Sequence, residues 1–351
     1  MIVAASAGAS MLERIRDSYD LVSELGLPNI KSEYWSQLLE KGRQEHGGKG
    51  DFVHHEKDDE LWANFRSNVV SKGLDNSNIP PERLEEIHEK WRVMHSRLSD
   101  EVAERFRPFL EESPVGNPRR LMIDGVPMSQ SSIEYSYMLT HLEPYVASEG
   151  VSVDIGGGYG GMSRHLKMAF PGLKIVIFDL PEVNAIQTYF LSECFPGARF
   201  LTLRDVHELT TIDPNELDFD FLILPGQLIS KLAPRSVELT INTRSMMEMN
   251  LETVSFYIEN IHRVLRSGGS FYCLNRYEKK TRLKDYPFDE RWFVSYSAPW
   301  PTFIDQNPHH ELIAVRTAHP VLQGLKEHAS GLPPEERSGS ALGRISKKLG
   351  F

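Results

Sequence analysis

Residues 151–162 read VSVDIGGGYGGM. Val151, Val153 and Ile155 alternate with Ser152 and Asp154, which predicts a short strand. Gly156, Gly157, Gly158, Gly160 and Gly161 follow at once, and a helical pattern continues from about Met162 to Phe170. A strand, a glycine-rich turn and a helix open a nucleotide-binding α/β unit. The glycines permit a tight turn and a close backbone approach, and the helix start offers free N–H groups to an anion. Gly156, Gly158 and Gly161 satisfy G-x-G-x-x-G, so the turn by itself is compatible with a dinucleotide. Two details point elsewhere: an acid, Asp154, lies inside the end of the strand, and Tyr159 sits in the turn. The next strand pattern, Leu173 to Phe178, ends in Asp179, 179 − 158 = 21 residues past the middle glycine. A carboxylate there can accept both hydroxyls of an adenosine ribose.

Outward from this unit the α/β pattern continues. Glu182 to Cys194 is helical, Phe200 to Leu203 is a short strand, and Phe219 to Leu224 is a clearer one ending in Pro225 and Gly226. Val237, Leu239 and Ile241 form another strand with Asn242 and Thr243 at its carboxyl end. A helix from Leu251 to Leu265 buries Val254, Tyr257, Ile258, Ile261, Val264 and Leu265. Gly268 and Gly269 break it, and Ser270 to Leu274 is the next strand, ending in Asn275 and Arg276. Arg291–Ser295 and Leu312–Arg316 are expected as a closing antiparallel pair. Upstream, Ser129 to Tyr145 reads as a helix with Ile133, Tyr137, Met138 and Leu142 on its apolar side, preceded by a linker from Pro114 to Arg120. The N-terminal third reads as helices. Leu12, Ile15, Tyr19, Val22 and Leu25 mark the first, Ser32 caps a second carrying Trp35, and Asp58–Val70 is the third. A fourth follows Pro80 and Pro81, and Asp100–Leu110 is a fifth, bent or stopped near Pro108.

DIGGGYGG, FDLPEV, INTRSMMEM and YCLNRYEK, taken together and in this order, resemble the class I S-adenosylmethionine-dependent methyltransferases, and within them a bacterial group described as sugar O-methyltransferases. The likeness runs from about Ile133 to Arg276. It implies an α/β, Rossmann-like sheet over about residues 121–325, behind a helical N-terminal domain (1–120) and before a polar C-terminal tail (326–351). It makes Phe219–Leu224 the third strand and Val237–Thr243 the fourth; a competing register makes Phe219–Leu224 the fourth. It implies S-adenosylmethionine as cofactor and S-adenosylhomocysteine as product. Asp154, Gly156 and Gly158 would lie by the amino-acid portion and Asp179 on the ribose, with Gly157, Tyr159, Leu180, Pro225 and Asn242 also in the cofactor site.

Methyl transfer to a hydroxyl needs an acceptor held in line and a base. Ligands in open α/β sheets lie beyond the carboxyl ends of the strands. Glu248, in the loop after the fourth strand, is the first choice for the base, although an acid there also suits a helix N-terminus. His165 and His207 are alternatives, whereas His262, beside the apolar stripe of its helix, reads as structural. Tyr137, Arg244, Ser245, Asn275, Arg276 and His309, the last in a polar loop after SYSAPWPTF, are candidates for holding the acceptor. No acid cluster follows the fourth strand, so no metal is expected. The expected acceptor is a small molecule, most simply a hydroxyl of a sugar or glycosylated metabolite. N- or O-methylation of a non-sugar natural product and cofactor binding without catalysis are the alternatives.

Composition sets the remaining bounds. The chain has 351 residues, 40% hydrophobic and 25% charged, ordinary for a globular protein. Its net charge of −10 argues against a nucleic-acid-coating surface. No apolar run approaches a membrane span, and MIVAASAGASML lacks the basic leader of a signal peptide. Two cysteines, Cys194 and Cys273, are no disulfide framework, and a reducing cytoplasm fits. A homodimer is compatible with all of this. GGKG at Gly47–Gly50 lacks P-loop spacing and reads as a connection, and adjacent His54 and His55 cannot share a helix face as metal ligands.

Overall fold

The computed structural model describes residues 10–27, 36–37, 52–54, 62–66, 84–301 and 308–317. Of the expected helix after Ser32 only residues 36–37 are described; the Gly47–Gly50 connection, Pro80 and Pro81, and the polar tail lie outside these residues, and of the third predicted helix only Trp62 to Arg66 are described.

Helices α1 (Met11–Glu24), α2 (Leu84–His95) and α3 (Asp100–Phe106) come first. The first is set by a capping box: the Ser10 hydroxyl accepts from the Glu13 N–H, and the Glu13 carboxylate accepts from the Ser10 N–H. The third stops at a 3-10 turn, Arg107–Leu110, where Pro108 removes a donor. A hairpin that the sequence did not announce, β1 (Leu121–Ile123) and β2 (Val126–Met128), then leads into α4 (Gln130–Leu142). Ser129 caps α4 by accepting from Ser132 N–H at 3.0 Å.

The main sheet follows: β3 (Glu149–Ile155), α5 (Gly161–Ala169), β4 (Gly172–Asp179), α6 (Pro181–Cys194), β5 (Phe200–Thr202), α7 (Leu203–Val206), β6 (Phe221–Pro225), β7 (Val237–Thr243), α8 (Leu251–Val264), β8 (Leu265–Arg276), β9 (Trp292–Pro299) and β10 (His309–Arg316). The eight strands lie in the order β5-β6-β4-β3-β7-β8-β10-β9. All neighbours are parallel except those of β10, which runs against both β8 and β9. This is the Rossmann-like sheet of class I methyltransferases with helices packed before it. Val237–Thr243 holds the fourth position and Phe221–Pro225 the third. The chain moves outward in one direction from β3 through β4 to β6 and then in the other through β7 to β8, so strand order reverses at β3. Ligands bind at such a switch point, and β3 ends in the glycine turn.

Alternation along the strands gives the sheet two apolar faces. Ile175, Ile177, Leu239, Ile241, Tyr272 and Leu274 face α4, α5, α6 and the described N-terminal residues. Val151, Val153, Ile155, Phe271 and Cys273 face α8. Ile15, Trp62, Phe65, Ile87 and Met94 belong to the first cluster, so the N-terminal helices and the sheet share one core. Helix α8 ends one residue earlier than the spacing suggested. Leu265, buried, already pairs with Val237, so the strand begins before the Gly268–Gly269 pair rather than after it.

Candidate active site

The glycine turn is held by its backbone. Gly156 N–H donates to Phe178 O at 2.8 Å, fastening the turn to β4. Gly156 (φ +66°) and Gly158 (φ +58°) are left-handed, which a side chain would resist. A Cβ on Gly156 would fall 2.1 Å from Ser245 Oγ, and one on Gly157 would fall 2.8 Å from Asp154 Oδ2. The first turns of α5 and α6 have no side-chain cap, leaving N–H groups at the carboxyl ends of β3 and β4 for a ligand.

Two acids flank the turn. Asp154 is fully buried; its Oδ2 accepts from Ser163 Oγ at 2.8 Å, while its Oδ1 has no hydrogen-bond partner. Burial outweighs the Ser163 bond and pushes the carboxyl up to about 6. Asp179 is half-buried; it accepts from Leu180 N–H and from Gln187 Nε2, each at 2.8 Å, and Gln187 also donates to Gly158 O at 2.9 Å. Burial is the main cause that pushes Asp179 up to about 7, with the nearby Asp154 charge adding to it. An orphaned buried carboxylate oxygen, a second raised acid beside it and a turn with no room for side chains fit a ligand that brings donors and close contact. The amino-acid end and ribose hydroxyls of S-adenosylmethionine are such groups. Pro225, beside Asp179 in register, lines a small cavity with Ile15, Tyr19 and Val22 of α1 and Thr188 of α6.

The loop after β7 sends its residues to both sides of the sheet. Arg244, in a left-handed conformation (φ +62°), reaches Glu134 of α4 at 2.5 Å. Ser245 packs on Gly156 and donates to Ile155 O at 3.2 Å. Met246 turns into the cluster facing α8. Glu248 is buried and accepts from Lys279 Nζ at 2.5 Å. It does not cap α8, because Asn250 does so by accepting from Thr253 N–H at 2.8 Å. Asn242 and Asn275 brace this loop instead of facing a ligand. Asn242 Nδ2 donates to Ile155 O at 2.8 Å, its Oδ1 accepts from Asn275 Nδ2 at 2.8 Å, and Asn275 Oδ1 accepts from Met247 N–H at 3.0 Å. Both are fully buried on the α8 face, so their polar groups are already used.

Four further expectations are corrected. Tyr159 is buried beneath Arg66, whose guanidinium stacks 4.1 Å above its ring and donates to its hydroxyl at 3.1 Å, so its role is to hold the turn. His207 follows the edge strand β5, on the opposite side of β3 from β7 and its loop, and its Nδ1 lies 2.9 Å from Arg204 O. His165 is fully buried, its Nδ1 tied to Gly161 O at 2.7 Å, and burial drives it down to about 4, too low for a useful base near neutrality. His309 opens β10 rather than lying in a loop and sits opposite Arg276 of β8, at the carboxyl end of that strand.

Two clusters that the sequence did not reveal line the α4 side. Arg66 and Glu112, both fully buried, form a bidentate pair at 2.9 and 3.0 Å, and Ser129 also donates to Glu112. Burial pushes Glu112 up, but Arg66 and Ser129 bring it down to about 2. Farther along α4, His141 Nδ1 lies 2.9 Å from each oxygen of the buried Glu311, which also accepts from Tyr272 at 2.7 Å. Tyr137 and Tyr296 stand beside the His141 ring. The partners in each cluster are separated by long stretches of chain, so no local pattern in the sequence points to them.

Residues 118–200 match the family of the O-methyltransferase domain. No curated protein matches the chain by sequence. Among solved structures it is similar to magnesium protoporphyrin IX methyltransferase from Synechocystis PCC 6803 with bound S-adenosylhomocysteine, at 10% identity and TM-score 0.40 over 65% of this chain and 100% of that one. It is similar to geranyl diphosphate methyltransferase in complex with geranyl diphosphate and sinefungin, at 15% identity and TM-score 0.38 over 53% and 77%. It is similar to an rRNA methylase from Streptococcus thermophilus, at 15% identity and TM-score 0.35 over 51% and 94%. The family match, the strand order and the acids at the glycine turn agree: the chain is an S-adenosylmethionine-dependent methyltransferase, with S-adenosylhomocysteine as its product. Among the described residues no helix is long and apolar enough to cross a membrane.

Proposed function

We propose that the enzyme transfers the methyl group to a hydroxyl of a small molecule, a sugar or a glycosylated metabolite. The observation that carries this is the cluster that the far half of α4 forms with β9 and β10. Aromatic rings (Tyr137, Tyr296, Trp300) stand with a buried carboxylate (Glu311) and a partly exposed imidazole (His141), surfaces that suit a polyhydroxy ring. The match to an O-methyltransferase domain supports oxygen as the acceptor atom.

S-adenosylmethionine supplies an electrophilic methyl on a sulfonium. Asp154 and Asp179 take its amino-acid end and ribose, and Gly156 and Gly158 let the backbone approach it. Arg276 and His309, side by side at the strand ends, bound the acceptor. Two groups compete as base. Glu248 lies in the loop after β7 but is already neutralised by Lys279. His141 has Nδ1 oriented by Glu311, the arrangement that leaves Nε2 to accept a proton. S-adenosylhomocysteine formation across matched sugar, phenol and amine acceptors tests the reading. Turnover confined to sugars supports it, and turnover confined to amines or phenols overturns it.

A further inference from the structure

Helix α4 carries a buried acid held between two cations. Glu134, 1% exposed, binds Lys90 of α2 through Oε1 and Arg244 of the β7 loop through Oε2. Burial pushes its carboxyl up, but Arg244 and Lys90 overcome that and keep it ionised. One cation would neutralise it; the second leaves donors over. The Arg244 Nε is buried without a hydrogen-bond partner. The groups facing the guanidinium besides Glu134 are Lys90, Tyr135 and Tyr272, and Glu86 faces Lys90 from its own helix. Arg244 is held in a left-handed backbone conformation that its side chain resists, fixed by its N–H donating to Leu274 O at 2.7 Å. The next residue, Ser245, touches Gly156. A strained residue with an unmatched, buried charged donor, one position from the cofactor turn, is a receiving group rather than a brace.

We propose that Arg244, backed by Glu134 and Lys90, is a carboxylate-binding site at the junction of cofactor and acceptor. Its guest is either the methionyl carboxylate of the cofactor or an acid group on the acceptor, as in a uronic acid. The proposal rests on the methyltransferase reading. Glu134 orients the guanidinium by taking one edge, and Nε–H remains for the incoming carboxylate.

The test titrates wild type and Arg244→Gln with S-adenosylhomocysteine and with 5′-methylthioadenosine, which lacks the amino-acid end. The S-adenosylhomocysteine-loaded proteins are then titrated with D-glucuronate and D-glucose. If the cofactor is the source, the preference for S-adenosylhomocysteine over methylthioadenosine falls at least tenfold in the variant. If the acceptor is the source, that preference stays and a preference of at least tenfold for glucuronate over glucose is lost. Unchanged preferences in a folded variant overturn the site. Should Arg244→Gln not fold, wild type decides with Lys90→Met, which keeps the Arg244–Glu134 pair. Absence of both preferences in wild type, or no weakening of either in Lys90→Met, overturns it equally. A wild type that binds neither nucleoside sinks the methyltransferase reading instead, and glucuronate against glucose on the free protein still tests the anion site.

Discussion

At the residue scale, Asp154 and Asp179 carry the sharpest consequences. Each is raised above the ordinary carboxylate value of about 3.9, to about 6 and about 7 respectively. Between pH ~4 and those values the folded protein holds protons that the unfolded chain has released, so stability falls as pH rises through that window. Thermal melts from pH 4.5 to 8 should show this decline, and Asp154→Asn should flatten it. Cofactor binding runs the other way. Ribose hydroxyls and an ammonium prefer ionised carboxylates, so binding expels protons, and affinity for S-adenosylhomocysteine should rise from pH 5.5 to 8. Calorimetry in buffers of different ionisation enthalpy reads the released protons directly; an affinity independent of pH contradicts the assignment. Asp179→Ala removes an acceptor of two hydroxyls and should cost about 2–4 kcal/mol of cofactor binding, from roughly 1.5–3 per charged hydrogen bond without full additivity. The base is settled by comparing Glu248→Gln with His141→Gln. The true base loses roughly 10²–10⁴-fold in turnover while cofactor affinity holds. The other variant loses little activity, and Glu248→Gln, which breaks a pair with Lys279, then shows up in the melting temperature alone.

At the element scale, the cofactor turn is assembled from distant parts of the chain. The segment 62–66 is joined to it through Arg66, which pairs with Glu112 and covers Tyr159 between Gly158 and Gly160. Arg66 N–H donates to Gly116 O at 2.9 Å, and Gly116 has no room for a Cβ, which would fall 2.4 Å from the Phe65 ring. Arg66→Met leaves Glu112 buried and unpaired, so unfolding should become easier by about 3–5 kcal/mol. Arg66→Met with Glu112→Gln should recover part of that loss, because the unpaired charge is gone. Urea denaturation of the three proteins checks this, and an equal or larger loss in the double variant contradicts the pairing. The loop after β7 obeys the same logic. Gly156→Ala forces a side chain into Ser245 Oγ at a left-handed backbone, so it should weaken cofactor binding more than it lowers stability.

At the scale of the whole molecule, the sequence was legible wherever period and punctuation acted locally. The β3–turn–α5 unit, Asp179 at a strand end and α8 follow from alternation, helical spacing and glycines, whereas the order of the third to fifth strands was implied by the family resemblance. The β1–β2 hairpin was hidden because strands of three residues carry too little periodicity. The roles of Asn242 and Asn275 were hidden because a polar residue at a strand end looks the same whether it meets a ligand or its neighbour. Arg66–Glu112 and His141–Glu311 pair across long separations, and no local pattern announces them. What binds the parts is the shared core of N-terminal helices and sheet, with the glycine turn at the point where strand order reverses. This point is the expected seat of S-adenosylmethionine. Isothermal titration of the wild-type protein with S-adenosylhomocysteine and, separately, with NAD tests it most directly. Saturable binding of S-adenosylhomocysteine at one site with no response to NAD is the expected result; NAD binding with no response to S-adenosylhomocysteine would contradict it.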